Sequence, residues 1–242
     1  MLNKKDVILA CDFPDAASVF SFLDNFKFVR RKPFVKIGME LFYSEGAPMV
    51  REIRHRGHSV FLDLKLHDIP NTVRSAMKVL AALDVDMVNV HAAGGSEMMR
   101  AAREGLLEGA SEGRCPKLIA VTQLTSTSEQ MLHDELLIGP DMPSTIISYA
   151  RNAAASGLDG VVCSPLESSV VHANCPEGFL TVTPGVRFAG ADHQDQKRVM
   201  TPSDARKAGS DFIVVGRPVT RAADPLAAYE RCIAEFLNET LI

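Results

Sequence analysis

The sequence predicts a (β/α)8 barrel. Three observations carry that expectation. Short apolar runs alternate with amphipathic stretches along the whole chain, as in folds that wrap helices around a parallel sheet. The 242 residues suit a fold that typically takes about 250. Nearly every apolar run ends in polar or charged residues, and a barrel collects its chemistry at the C-terminal ends of its strands. An open doubly wound sheet is the alternative architecture, but no G-x-G-x-x-G follows the first run, which weakens a dinucleotide-binding reading. Residues 1–242 read as one domain, without linker, low-complexity tract or internal repeat.

Taken in order, strands are expected at 7–10, 34–37, 59–64, 87–90, 118–121, 160–163, 179–182 and 212–215. They are short and mostly apolar, as strands covered on both faces are. Helical spacing groups Val19, Phe22, Leu23 and Phe26 within 16–28, and Val73, Ala76, Met77 and Leu80 within 72–83. It also groups Leu226, Tyr229, Ile233 and Phe236 within 225–237. Two connections are long. One runs from strand 5 to a helix near Ser144. The other, 183–201, carries Gly190, Asp192, His193, Gln194 and Gln196. Long loops in a compact domain are usually functional or disordered, and these two are placed to act as lids over a pocket.

Composition narrows the function classes. The chain is 46% hydrophobic and 23% charged, an ordinary globular balance. A net charge of -4 argues against a nucleic-acid-binding surface. No apolar run reaches the roughly 18 residues of a membrane span. Residues 1–6 lead straight into a strand with no signal-peptide core, so a cytoplasmic location is expected. Cys11, Cys115, Cys163, Cys175 and Cys232 are odd in number and form no C-x-x-C pair, which fits reduced thiols better than a disulfide framework or zinc site. His55 and His58 make an H-x-x-H, but no third ligand stands nearby and basic residues surround them. That pair reads as a solvated helix end, and no metal is expected.

The chemistry concentrates in 59–72. Asp63 and Lys65 interrupt the apolar third strand, two residues apart and so on one face. Asp68 follows just past its end. Buried charges of this kind need partners. Either they close the strand as a structural ion pair, or they hold a cationic lysine ready to donate a proton. Lys36 on strand 2 adds a fourth charge, and Asp12 stands at the end of strand 1. Those two suit hydrogen bonds to sugar hydroxyls, or form a plain interstrand ion pair. Strand 5 runs into Thr125 and Ser126. At strands 7 and 8, Pro184, Gly185, Arg187, Gly216 and Arg217 offer backbone N–H groups and guanidinium forks where barrels often hold phosphate. Gln196 is positioned in the long loop to close over that phosphate. Two surface arginines in turns are the plainer reading of Arg187 and Arg217.

At these residues the chain resembles orotidine 5′-phosphate decarboxylase of the bacterial type. The matching segments are Phe61-Leu-Asp-Leu-Lys-Leu-His-Asp-Ile-Pro-Asn-Thr72, Lys36-Ile-Gly, Asn89-Val-His-Ala, Leu124-Thr-Ser126, Thr183-Pro-Gly-Val-Arg187 and Val215-Gly-Arg217. They span nearly the whole chain in the family's order. The resemblance implies a homodimeric, cofactor-free barrel enzyme acting on a small nucleotide, orotidine 5′-monophosphate. The products would be uridine 5′-monophosphate and CO2, the last step of de novo pyrimidine synthesis. By motif, Lys65 would protonate C6 and Asp63 would face the leaving CO2. Asp68 and Thr72 would complete the partner's site. Asp12 and Lys36 would bind the ribose. Thr125 and Ser126 would meet the pyrimidine. Pro184, Arg187, Gln196, Gly216 and Arg217 would hold the base and phosphate end. Related sugar-phosphate lyases share the D-x-K-x-x-D core and use Mg2+, but tend to carry an acidic residue where Lys36 stands. A barrel that only binds nucleotides is a third reading, and it leaves the complete charged array unexplained.

Overall fold

Eight parallel strands close on themselves in sequence order. They are β1 (Asp6–Ala10), β2 (Phe34–Gly38), β3 (Ser59–Leu66), β4 (Met87–His91), β5 (Lys117–Val121), β6 (Gly160–Val162), β7 (Leu180–Thr183) and β8 (Phe212–Val215). The computed structural model describes residues 5–111, 114–189 and 200–239. Helices α1 (Ala16–Asp24), α2 (Met39–His55), α3 (Pro70–Ala81), α4 (Gly95–Gly109), α5 (Glu129–Asp134), α6 (Met142–Ala155), α7 (Ser168–Asn174) and α8 (Pro202–Lys207) fill the crossovers, and α9 (Arg217–Thr220) and α10 (Pro225–Leu237) follow the last strand. Among the described residues no helix is long and apolar enough to cross a membrane.

The period-two alternation of strands divides each one between two cores. Outward positions such as Val7, Leu9, Val35, Ile37, Val60, Leu62 and Val88 pack against the helices. Inward positions Ile8, Phe34, Phe61, Met87, Ile119, Val182, Phe212 and Val214 fill the barrel, with Phe34 and Phe212 meeting edge to face. Two residues further up, the inward positions of β2, β3 and β4 turn polar. Lys36 stands above Phe34, Asp63 above Phe61, and Asn89 above Met87. An apolar plug thus closes the lower barrel and leaves the charged layer facing the C-terminal mouth.

The opposite end is tied by carboxylates standing just before β4, β6 and β8. Asp86 accepts from Val60 N (2.9 Å) and Arg54 (2.6 Å). Asp159 accepts from Leu118 N (2.8 Å) and Lys117 (2.9 Å). Asp211 accepts from Thr181 N (2.9 Å) and bonds His172 (2.9 Å). Each satisfies a backbone donor of the preceding strand, which fits the association of that barrel face with stability.

Some elements differ from expectation. Helix α1 ends at Asp24, although Phe26 is still buried, and Phe28 is exposed. Helix α3 starts two residues early, with Pro70 in its first turn, where its missing N–H costs nothing. The long connection after β5 contains α5, capped by Ser128. His58 is buried, with Nδ1 3.0 Å from Pro33 O, so the H-x-x-H is not a solvated helix end. His55 ends α2 and is exposed. Among the described residues no cluster of three or more His, Cys, Asp or Glu side chains suits a metal.

Candidate active site

At the mouth of the barrel, Lys36 reaches from β2 between two carboxylates. Its Nζ lies 3.0 Å from Asp12 Oδ1 and 3.2 Å from Asp63 Oδ2. Lys65 Nζ lies 2.7 Å from the other oxygen, Asp63 Oδ1. The four groups form a chain of alternating charge, Asp12–Lys36–Asp63–Lys65. Burial alone would raise the Asp63 pKa, but Lys36 and Lys65 outweigh it and hold the carboxyl below its ordinary value. Burial likewise works against the Lys36 ammonium, yet Asp63 and Asp12 carry its pKa upward. Both groups therefore stay ionised around neutrality. Cys11 lies beside the array, and burial pushes its thiol to about 12, so it remains neutral.

Lys65 is reached by an unusual path. The β3–β4 ladder pairs Leu62 with Val88 and then Leu66 with Val90. Asp63, Leu64 and Lys65 thus span what Asn89 alone spans on β4. The slack is taken up as a bulge, with Lys65 at φ 52°, a left-handed conformation that non-glycine residues rarely adopt. Regular alternation therefore does not account for the meeting of Asp63 and Lys65. Asn89, wholly buried, accepts from Lys65 N (2.8 Å) and donates through Nδ2 to Asp63 Oδ1 (2.7 Å). Its sequence signal is a polar residue at an inward position of an otherwise apolar strand, and sequence reasoning gave it no role of its own.

Two adjoining cavities open over this layer. One, of about 500 Å³, is lined by Asp12, Lys36, Pro184, Arg187, Gly216 and Arg217. The other, of about 240 Å³, is lined by Asp63, Lys65, Thr125, Ser126 and the apolar Phe61, Val121 and Val182. Lys36, Pro184 and Val214 belong to both. Sequence reasoning also overlooked Phe13, Pro14, Thr220 and Arg221, which line the larger cavity. Arg187 is itself buried, and its backbone N donates to Met200 O (3.0 Å). A bridge between Val186 and Met200 brackets 190–199. Gln196 lies outside the described residues.

The structure does not bring every candidate together. Asp68 and Thr72 are exposed and line neither cavity. Asp68 accepts from Ile69 N (2.6 Å), and the exposed Ile69 stands beside it. Some polar strand ends serve the fold instead of the pocket. Ser164 forms a capping box with Glu167. Thr183 is buried and donates to Phe212 O (3.1 Å).

A family model described as orotidine 5′-phosphate decarboxylase / HUMPS family matches residues 5–232. The orotidine 5′-phosphate decarboxylase of Geobacillus sp. (strain WCH70) is 56% identical over 233 residues, covering 96% of this chain and 97% of that protein. That of Streptococcus mutans is 56% identical over 229 residues, covering 95% and 96%. The crystal structure of orotidine 5′-phosphate decarboxylase from Lactobacillus acidophilus superposes with a TM-score of 0.87 at 43% identity, covering 96% of this chain and 99% of that one.

Proposed function

The chain belongs to the orotidine 5′-phosphate decarboxylase family and converts orotidine 5′-monophosphate to uridine 5′-monophosphate and CO2 in pyrimidine biosynthesis; from that premise we propose that the Asp12–Lys36–Asp63–Lys65 array carries the chemistry. The observation behind the proposal is the Lys65 ammonium beside Asp63, on the wall of the smaller cavity. The bond from C6 to the carboxylate breaks with its electron pair left on C6, and CO2 departs. Lys65 delivers a proton to that carbon and forms the new C6–H bond. The neutral amine then regains a proton from solvent. Asp63 faces the scissile carboxylate, and its charge disfavours the bound ground state relative to the neutral CO2 that leaves.

The rest of the site binds and encloses. Asp12 and Lys36 hold the ribose hydroxyls. Thr125 and Ser126 meet the pyrimidine. Pro184, Arg187, Gly216 and Arg217 hold the base and phosphate end, with Gln196 closing from the loop. Without a cofactor, catalysis is electrostatic preorganisation. Enzymes lower barriers by roughly 8–23 kcal/mol, and general acid catalysis by one lysine supplies only about 10²–10⁴-fold of that. Phosphate contacts must therefore drive closure around the base. The exposure of Asp68 and Thr72, outside both cavities, supports a homodimer in which each completes the partner's site. The whole of 1–242 acts as one domain, in the cytoplasm.

The test is direct. With EDTA present, the protein should bleach the absorbance of orotidine 5′-monophosphate. Lys65→Ala should lose at least about 10²–10⁴-fold in kcat and still bind uridine 5′-monophosphate. A Lys65→Ala variant with near-parental kcat overturns the assignment of the proton donor.

A further inference from the structure

We propose that Asn89 is the positioning residue of this site: its single amide fixes the backbone of Lys65 and the carboxylate of Asp63 relative to each other. The inference rests on the reading of Lys65 and Asp63 as the reacting groups. Asn89 lines neither cavity, so it acts on the reaction through those two residues.

The register shift removes Lys65 N–H from the β3–β4 ladder, and a buried N–H without a partner is costly. Asn89 Oδ1 replaces the lost ladder acceptor at 2.8 Å. That bond stabilises Lys65 at φ 52°, the conformation from which its ammonium bonds Asp63 Oδ1. The other end of the amide, Nδ2, donates to the same Oδ1 at 2.7 Å. One carboxylate oxygen therefore receives both the ammonium of Lys65 and the amide that anchors the Lys65 backbone. This closed ring of bonds leaves the carboxylate little freedom to rotate.

Few side chains can do this. The site needs one acceptor and one donor at the fixed separation of a primary amide, on a stem of one methylene. Leucine offers neither. Aspartate offers the acceptor but sets a second carboxylate against Asp63. Serine is too short to bridge both. The support also stands on a strand and not a loop, where positioning is most exact.

Asn89→Ala removes both bonds, and isosteric Asn89→Asp removes the donor alone. A reacting group displaced by about 1 Å loses roughly 10²-fold in rate. Both variants are expected to lose at least that in kcat. KM and the Kd for uridine 5′-monophosphate should stay within about threefold, because no substrate contact is lost. Asn89→Asp carries a further signature. The groups facing the introduced carboxyl are Asp63 and Lys65 of β3 and Lys36 of β2. His91 lies two residues along β4, and β5 presents Ile119 opposite. Once protonated, that carboxyl can donate to Asp63 again. Its kcat relative to the parent should therefore rise as pH falls.

Near-parental kcat in a folded Asn89→Ala or Asn89→Asp variant overturns the proposal. So does equal loss of kcat and nucleotide affinity, or failure of both variants to fold, since either marks Asn89 as structural support only. Lys65→Ala, assayed alongside, separates the two readings. If it is inactive while Asn89→Ala is parental, Asn89 alone is misassigned; if Lys65→Ala is itself active, the array reading has failed.

Discussion

A mixture of two inactive variants tests whether the site is built across a dimer. Asp68→Ala keeps Arg217, which lines the larger cavity. Arg217→Ala keeps Asp68, which is exposed and outside both cavities. Each substitution removes a charged partner, whose hydrogen bonds are worth about 1.5–3 kcal/mol each, so each variant alone should fall at least about 10–150-fold. In a two-fold dimer with Asp68 serving the neighbour, a heterodimer has one site with both residues and one with neither. An equal mixture makes about half of its dimers heterodimers, and half of their sites are intact. Activity should therefore recover to about a quarter of the parent, well above either variant. If Asp68 served its own subunit, every heterodimer site would lack one residue and nothing would be gained. The assay is loss of orotidine 5′-monophosphate absorbance after exchange, with exchange followed by mass-labelled subunits. Activity that stays at the mean of the two variants after proven exchange refutes the shared site.

Two further outcomes follow from the same geometry. Asp63→Asn leaves Lys36 and Lys65 facing a neutral amide, and breaking such a buried pair costs about 3–5 kcal/mol. For a chain of this size that lowers Tm by roughly 6–20 °C. Asp63 is held below its ordinary pKa, so its stabilisation is full above the unfolded value near 3.9. It is lost as pH falls through the lower folded value. The Tm gap between parent and variant should close in acid, and melting curves that keep the same gap from neutral pH down to strong acid contradict the charge-pairing account. Separately, orotidine without its phosphate should lose kcat as well as affinity, because remote binding contributes to closure. Single-turnover rates equal for the two substrates would remove the phosphate from the catalytic argument.

Much of this was legible in the sequence because the barrel's physics is periodic. Strands buried on both faces announce themselves as apolar runs, and their polar ends mark the mouth. Lys36 and Asp63 were conspicuous because a charge inside an apolar strand has no structural excuse without a partner. The less visible features depend on departures from periodicity. Nothing in Leu62-Asp-Leu-Lys-Leu66 marks a register shift, since an unbulged strand has the same alternation. The carboxylates before β4, β6 and β8 look like loop residues until the strands they tie are side by side. Thr72 was linked to the site only by family resemblance, whereas Asp68 was read into the charged array from its place after the strand. It stands exposed outside both cavities, because spacing along a chain does not show where a side chain lies once the strand has ended.

The bulge explains why fold and function conflict at one residue. Glycine would take φ 52° at position 65 without strain, whereas lysine there costs on the order of 1–3 kcal/mol. A glycine carries no ammonium, so the strain is tied to the charge. What opposes it is local. The Lys65–Asp63 contact at 2.7 Å is worth roughly 6 kcal/mol at an effective dielectric near 20, before desolvation is deducted. The bond from Asn89 adds the net gain of a buried hydrogen bond, about 1 kcal/mol. A straight β3 would spare the strain and keep Lys65 N–H in the ladder. It would also leave Asp63 and Lys65 projecting side by side along the strand, without the closed contact that Asn89 supports from below. The strained backbone is thus opposed by the ion pair and the amide together, and this couples the conformation of Lys65 to the charge on Asp63.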